Sequence, residues 1–225
     1  MVDNVIGMLN MLKRTKNTSK DIIEVYTRAK MTLNLTEQLR FAQNIAVKNF
    51  WGNEFPSDLN FGHDEFTTNY SGEPIIEWKY LVASCIANKD KILDFRILKQ
   101  KFEHFMLVDE LDKASDCIDE VKQKYGESLW LINAMFFLAE RQGGREANWS
   151  KLSEVIKTKE DGLFRLTIEL VSKKNESLIR FDEFLKSTNE QITAIPVDDS
   201  IKQFIYYCLG IKAIDDPSKS GILIY

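Results

Sequence analysis

The chain has 225 residues, 44% hydrophobic and 28% charged, with a formal net charge of −4 and only 4 Pro and 10 Gly. These values exclude a turn-rich all-β fold and a global electrostatic attraction to nucleic acid or acidic membranes. They allow one large or two small helical domains with a sizeable core.

In chain order, the opening MVDNVIGMLNMLKRTK places Asp3 ahead of spaced apolar residues and a basic cluster behind them, unlike a secretory leader. Residues 1–49 carry eight Lys/Arg against four Asp/Glu. Their basic residues are scattered over helix faces without stacking aromatics, so nucleic-acid contact is not expected. Helical periodicity predicts about 11 helices, near residues 3–15, 19–33, 37–50, 74–88, 91–107, 110–125, 128–141, 147–158, 161–173, 176–188 and 199–213. Pro74 suits a first helical turn. Leu111, Ala114, Ile118, Val121 and Tyr125 recur at 3, 4, 3, 4 spacing, and Phe95, Leu98, Phe102 and Phe105 form a matching stripe. Gly126 is placed to end one helix and Ser128 to cap the next.

Residues 129–139 hold one polar side chain, Asn133, in 11 positions, while a membrane span needs about 20. The stretch is therefore a helix with neighbours on nearly every side. With no membrane segment expected, the protein is expected in the cytoplasm. Cys85, Cys117 and Cys208 lie far apart in apolar helical stretches and read as reduced core thiols.

The predicted helices join through short links, except across residues 51–73 (WGNEFPSDLNFGHDEFTTNYSGE). That insertion carries Trp51, Phe55, Phe61, His63, Phe66 and Tyr70, five acidic residues, and no Lys or Arg. Its rings either pin the loop to the helices or serve as a partner-binding element. Alternate helices start at 3, 37, 91, 128, 161 and 199, giving intervals of 34, 54, 37, 33 and 38; the insertion accounts for the outlier.

Trp130-x2-Asn133-Ala134-x2-Phe137 resembles the first half of the tetratricopeptide-repeat signature. Asp109-Glu110-Leu111-Asp112-Lys113-Ala114, followed by Ile118, resembles the G-x-Y-x-K-A-x3-F portion of the repeat before it. The resemblance covers about 50 residues, 91–142; outside them the helical period continues without the signature. It implies an all-α fold of antiparallel helix pairs stacked as a tetratricopeptide-like superhelix, one α-solenoid domain over 1–225. An irregular helical bundle is the competing architecture.

Catalytic and metal signatures lack the residues to build them. The chain has two histidines, His63 and His104, and no CxxC, HxxxH or HExxH. Gly143–Gly144 reads as a turn between helices, since no strand precedes it to make a phosphate cradle. No catalytic residue, metal or cofactor is expected. The leading expectation is a non-enzymatic scaffold whose helices 91–107, 128–141 and 161–173 line a groove for a partner protein or peptide. Asn133 would be one component of that groove and the insertion's aromatics and His63 its edge. A second reading is a helical regulatory or sensor segment of a larger enzyme or assembly. It rests on helix 199–213, apolar almost all round, and the apolar ending GILIY; a subunit contact or homodimer through 199–225 would cover them. A third, an all-α enzyme using Cys208 or Cys117, would label one cysteine selectively.

Overall fold

A computed structural model describes residues 4–14, 19–44, 72–157, 159 and 162–211. Those residues form ten α-helices and no strand. They are α1 (Asn4–Arg14), α2 (Ser19–Thr32), α3 (Leu35–Ala42), α4 (Pro74–Ala87), α5 (Lys89–Leu107), α6 (Leu111–Tyr125), α7 (Leu129–Ile156), α8 (Gly162–Lys174), α9 (Phe181–Ala194) and α10 (Asp199–Leu209). None is long and apolar enough to cross a membrane. The described residues gather into two compact units, one up to Phe95 and one from Arg96, with the boundary inside α5.

In the first unit α1 packs on α2 and α3, and α4 packs on α2 and α3. Val5, Met8 and Leu12, one face of α1, meet Val25, Tyr26 and Ala29 of α2 and Phe41 of α3 in a dry cluster. The Tyr26 ring stands edge-on to Phe41 at 5.8 Å. α3 begins two residues earlier than expected because Asn34 and Glu37 form a capping box. Glu37 N–H donates to Asn34 Oδ1 at 3.0 Å, and Asn34 N–H donates to Glu37 Oε2 at 2.9 Å. Residues 45–50, expected to extend it, lie outside the described residues.

The first unit also buries a charge. Lys30 Nζ lies 2.5 Å from Glu77 Oε2, with side chains 0% and 1% exposed, and 5.4 Å from the centre of the Tyr80 ring. Glu77, Tyr80 and Ala83 are the buried positions of α4. Its apolar residues Ile75, Trp78, Val82 and Ile86 point outward.

In the second unit α6 packs on α7, α7 on α8, and α8 on α9 and α10. Ala114, Ile118, Val121 and Tyr125 are buried along α6, as their spacing requires, and Cys117 joins them. Leu98 and Phe102 are buried on α5, and Phe102 meets the Trp130 ring edge-on at 5.7 Å. Gly126 ends α6 at φ 73°, and Ser128 Oγ accepts from Leu131 N–H at 3.1 Å to cap α7.

The two helices expected at 128–141 and 147–158 follow one another along α7, parted by a kink where the expected glycine turn lies. The helical backbone breaks at Gly143 (φ −146°) and Gly144 (φ 64°). A Cβ on Gly143 would stand 2.8 Å from the Ala147 Cβ, and the positive φ of Gly144 disfavours any other residue. The helix expected at 176–188 instead runs Phe181–Ala194. Its start is delayed because residues 175–177 are held by α7. It runs on to Ala194, where Pro196 forces Ile195 into extended backbone (φ −74°, ψ 131°).

Candidate functional site

Of the residues singled out from sequence, Trp51, Phe55, Phe61, His63, Phe66 and Tyr70 lie outside the described residues. Asn133 is described and half-buried on α7. Its Oδ1 accepts from Asn175 Nδ2 at 3.1 Å, and Asn175 also donates to the Val171 carbonyl at 2.8 Å. That bond is the first of a ladder between α7 and the turn that follows α8.

One helical stretch further along α7, Glu140 Oε1 accepts two bonds from Ser177, from its N–H at 2.9 Å and its Oγ at 2.7 Å. Glu140 Oε2 is buried and has no hydrogen-bond partner among the described residues. Past the glycine break, Trp149 Nε1 donates to Glu176 Oε1 at 3.1 Å. Arg145 Nε lies 3.1 Å from Glu176 Oε2, an ion-pair distance off the hydrogen-bonding line. The Arg145 guanidinium stacks over the Trp149 ring at 4.2 Å. Three consecutive residues, Asn175, Glu176 and Ser177, are thus tied to three points along α7. Deeper in, Asn148 and Ser172 exchange two bonds: Asn148 Nδ2 donates to the Ser172 carbonyl at 3.1 Å, and Ser172 Oγ donates to Asn148 Oδ1 at 2.9 Å.

Apolar side chains stand exposed around this ladder. Phe137 lies between Asn133 and Glu140 on the same face of α7, Leu178 follows Ser177, and Phe181 opens α9 beside the buried Phe184. Leu178 is 76% exposed and Phe181 63%. Trp149 is half-exposed while its ring nitrogen is bound. The arrangement is a rigid turn carrying aromatic and aliphatic anchors, with Arg145 and Glu176 already paired to each other. Its chemistry is recognition: apolar area to bury against a partner, backed by a fixed polar frame. Sequence reading found Asn133 but missed Glu140, Arg145, Trp149 and Asn175–Ser177. The available signal was the recurrence of Asn133, Phe137 and Glu140 on one helical face.

The three thiols differ. Cys117 is buried, and burial pushes its pKa upward. Cys208 is half-buried on α10, and burial pushes its thiol up to about 11. Cys85 corrects the expectation of three core thiols: it is exposed, on the outward side of α4. His104 is exposed beside the Phe105 ring at 5.7 Å, a flank position as expected. On α10, Ile205 and Leu209 are buried, Tyr207 is exposed, and Gly210 ends the helix at φ 65°; residues 212–225 of the expected subunit contact lie outside the described residues.

No protein-family model, curated protein or solved structure matches this chain.

Proposed function

We propose that this chain is a non-enzymatic scaffold whose helix pairs stack in the manner of tetratricopeptide repeats and present a face to a partner protein or peptide. One observation carries the reading: the α7–α8 ladder fixes residues 175–177 while leaving Phe137, Trp149, Leu178 and Phe181 exposed around it. Exposed rings on a rigid frame lose little conformational entropy when a partner covers them. Two features favour the repeat-like stacking. Ala114 and Ala134, at the small-residue positions of the pattern, are buried on two helices that pack on one another. Asp109 stands where the pattern carries glycine, and its φ is 60°, a conformation glycine favours.

The test uses the full chain as bait in native lysate, beside a Phe137→Ser/Leu178→Ser variant. Both substitutions fall on exposed residues, and circular dichroism melts check the fold. Proteins retained by the parent and lost by the folded variant support the reading. A third bait replaces residues 54–71 with a Gly/Ser linker, and loss of the same proteins there assigns recognition to the insertion. Identical retention by all three baits, or none by any, overturns it.

A further inference from the structure

The outward face of α4 is apolar in a way its inward face is not. Ile75, Trp78, Val82 and Ile86 follow one another at spacings of 3, 4 and 4, one stripe of a helix, and all four are exposed. Trp78 is 63% exposed and Ile75 59%. The stripe continues past Asn88 into α5 with exposed Leu93. The backbone ladder passes through that junction: Asn88 N–H donates to Ser84 O and Ile92 N–H to Asn88 O, both at 3.0 Å.

Apart from Trp78, the stripe is symmetric about Ser84. Val82 and Ile86 lie two residues to either side, and Ile75 and Leu93 nine residues to either side. A second copy laid antiparallel across it would set Val82 against the copy's Ile86 and Ile75 against its Leu93. The charges follow it to within one residue: Lys79 lies five residues before Ser84 and Asp90 six after. Lys79 and Asp90 lie 11 residues apart, three helical turns, and so share one flank of the stripe. A two-fold axis normal to both helices brings the same flank of each to the same side of the contact, so each Lys79 meets the other copy's Asp90. Neither makes an ion pair among the described residues. Cys85 is on the opposite flank, one residue past the midpoint, where the two copies of it would meet.

We propose that α4 is an isologous interface between two copies of this chain. Complete burial of the five exposed side chains would give on the order of 1,000 Å² over two copies, no more than the threshold for a specific interface. The association is therefore reversible and concentration-dependent. It involves the first unit alone and needs no partner on the α7–α8 face.

Sedimentation equilibrium on the full chain tests it. The expected result is a monomer–dimer equilibrium. Trp78→Glu raises the dissociation constant at least about thirtyfold, the loss of a central anchor. Lys79→Asp and Asp90→Lys each weaken the dimer, and the double variant restores it. The charge variants alter exposed residues only, so they report on the interface even if Trp78→Glu unfolds the chain. In a Cys117→Ser/Cys208→Ser background, mild oxidation links the dimer through Cys85. A monomer at every concentration overturns the proposal. So does a dimer indifferent to Trp78→Glu, a double charge swap that fails to restore association, or no cross-link through Cys85.

Discussion

Both α4 and the first half of α7 are strongly apolar, yet they orient that apolarity in opposite ways. α7 turns Leu131, Ile132, Met135 and Phe136 inward and leaves Phe137 as its exposed ring. α4 turns Glu77 inward and Trp78 outward. Helical spacing identifies the faces of a helix, but the neighbours decide which face goes in. α2 brings the buried Lys30 to α4, and an ammonium taken out of water requires a carboxylate beside it. The ion pair alone does not explain the inversion. Leaving four large apolar side chains part-exposed forgoes on the order of 1 kcal/mol or more each, and a buried pair returns little over well-packed apolar groups. The outward stripe makes energetic sense if a second copy covers it.

The largest effect expected from this contrast is at Glu77. Glu77→Ala removes the carboxylate facing Lys30 and should cost about 3–5 kcal/mol in urea unfolding. Replacing both residues, Lys30→Met with Glu77→Leu, should recover most of that loss. A small effect from Glu77→Ala, or no recovery in the double variant, would show that the pair does not set the orientation of α4.

The second unit uses an uncharged pair for a comparable task, and its effect should be smaller. Asn148→Ala leaves the hydroxyl of Ser172 unpaired at a fully buried site and removes one of two bonds to its carbonyl, which still accepts from Asn175 N–H at 3.0 Å, a cost of about 1–3 kcal/mol. Ser172→Ala keeps the Asn148 bond to the carbonyl and should cost less. If the two variants are equal, the hydroxyl–amide bond carries the contact and the carbonyl bond contributes nothing.

The contrast also marks where sequence was readable. The α6 stripe, the Gly126 stop, the Ser128 cap and the Gly143–Gly144 break are local signals, and each appears where its chemistry put it. Asn34–Glu37 is an equally local signal, one that helical periodicity alone does not reveal. The start of α9 was not readable. Arg180 provides no side-chain cap, and the delay comes from Glu140, 37 residues before Ser177. The bond from Asn175 to Asn133 spans 42 residues and has no sequence signature. The outward stripe of α4 has the spacing of a core stripe, and the group that draws Glu77 inward, Lys30, lies on another helix. Apart from the local Asn34–Glu37 cap, these misses lie where a side chain distant in sequence overrode a local preference.

The smallest effect tests the turn between α5 and α6, where the repeat-like reading is most exposed to failure. Asp109 adopts φ 60°, a left-handed conformation that costs most residues about 1–2 kcal/mol and glycine nothing. Asp tolerates it better than most, since its short polar side chain bonds locally. Its carboxylate also reaches Arg141 at 2.9 Å, but both groups are exposed, so that pair contributes about 0–1 kcal/mol. Comparing Asp109→Gly with Asp109→Ala removes the ion pair from the difference, since both variants lose it. What remains is left-handed strain in Ala against the extra unfolded-state freedom of Gly, which offsets about 0.4–1 kcal/mol. The glycine variant should therefore be more stable to urea than the alanine variant by up to about 1.5 kcal/mol. An alanine variant at least as stable would mean that the turn relaxes out of the left-handed region, and that the glycine position of the repeat pattern has no counterpart here.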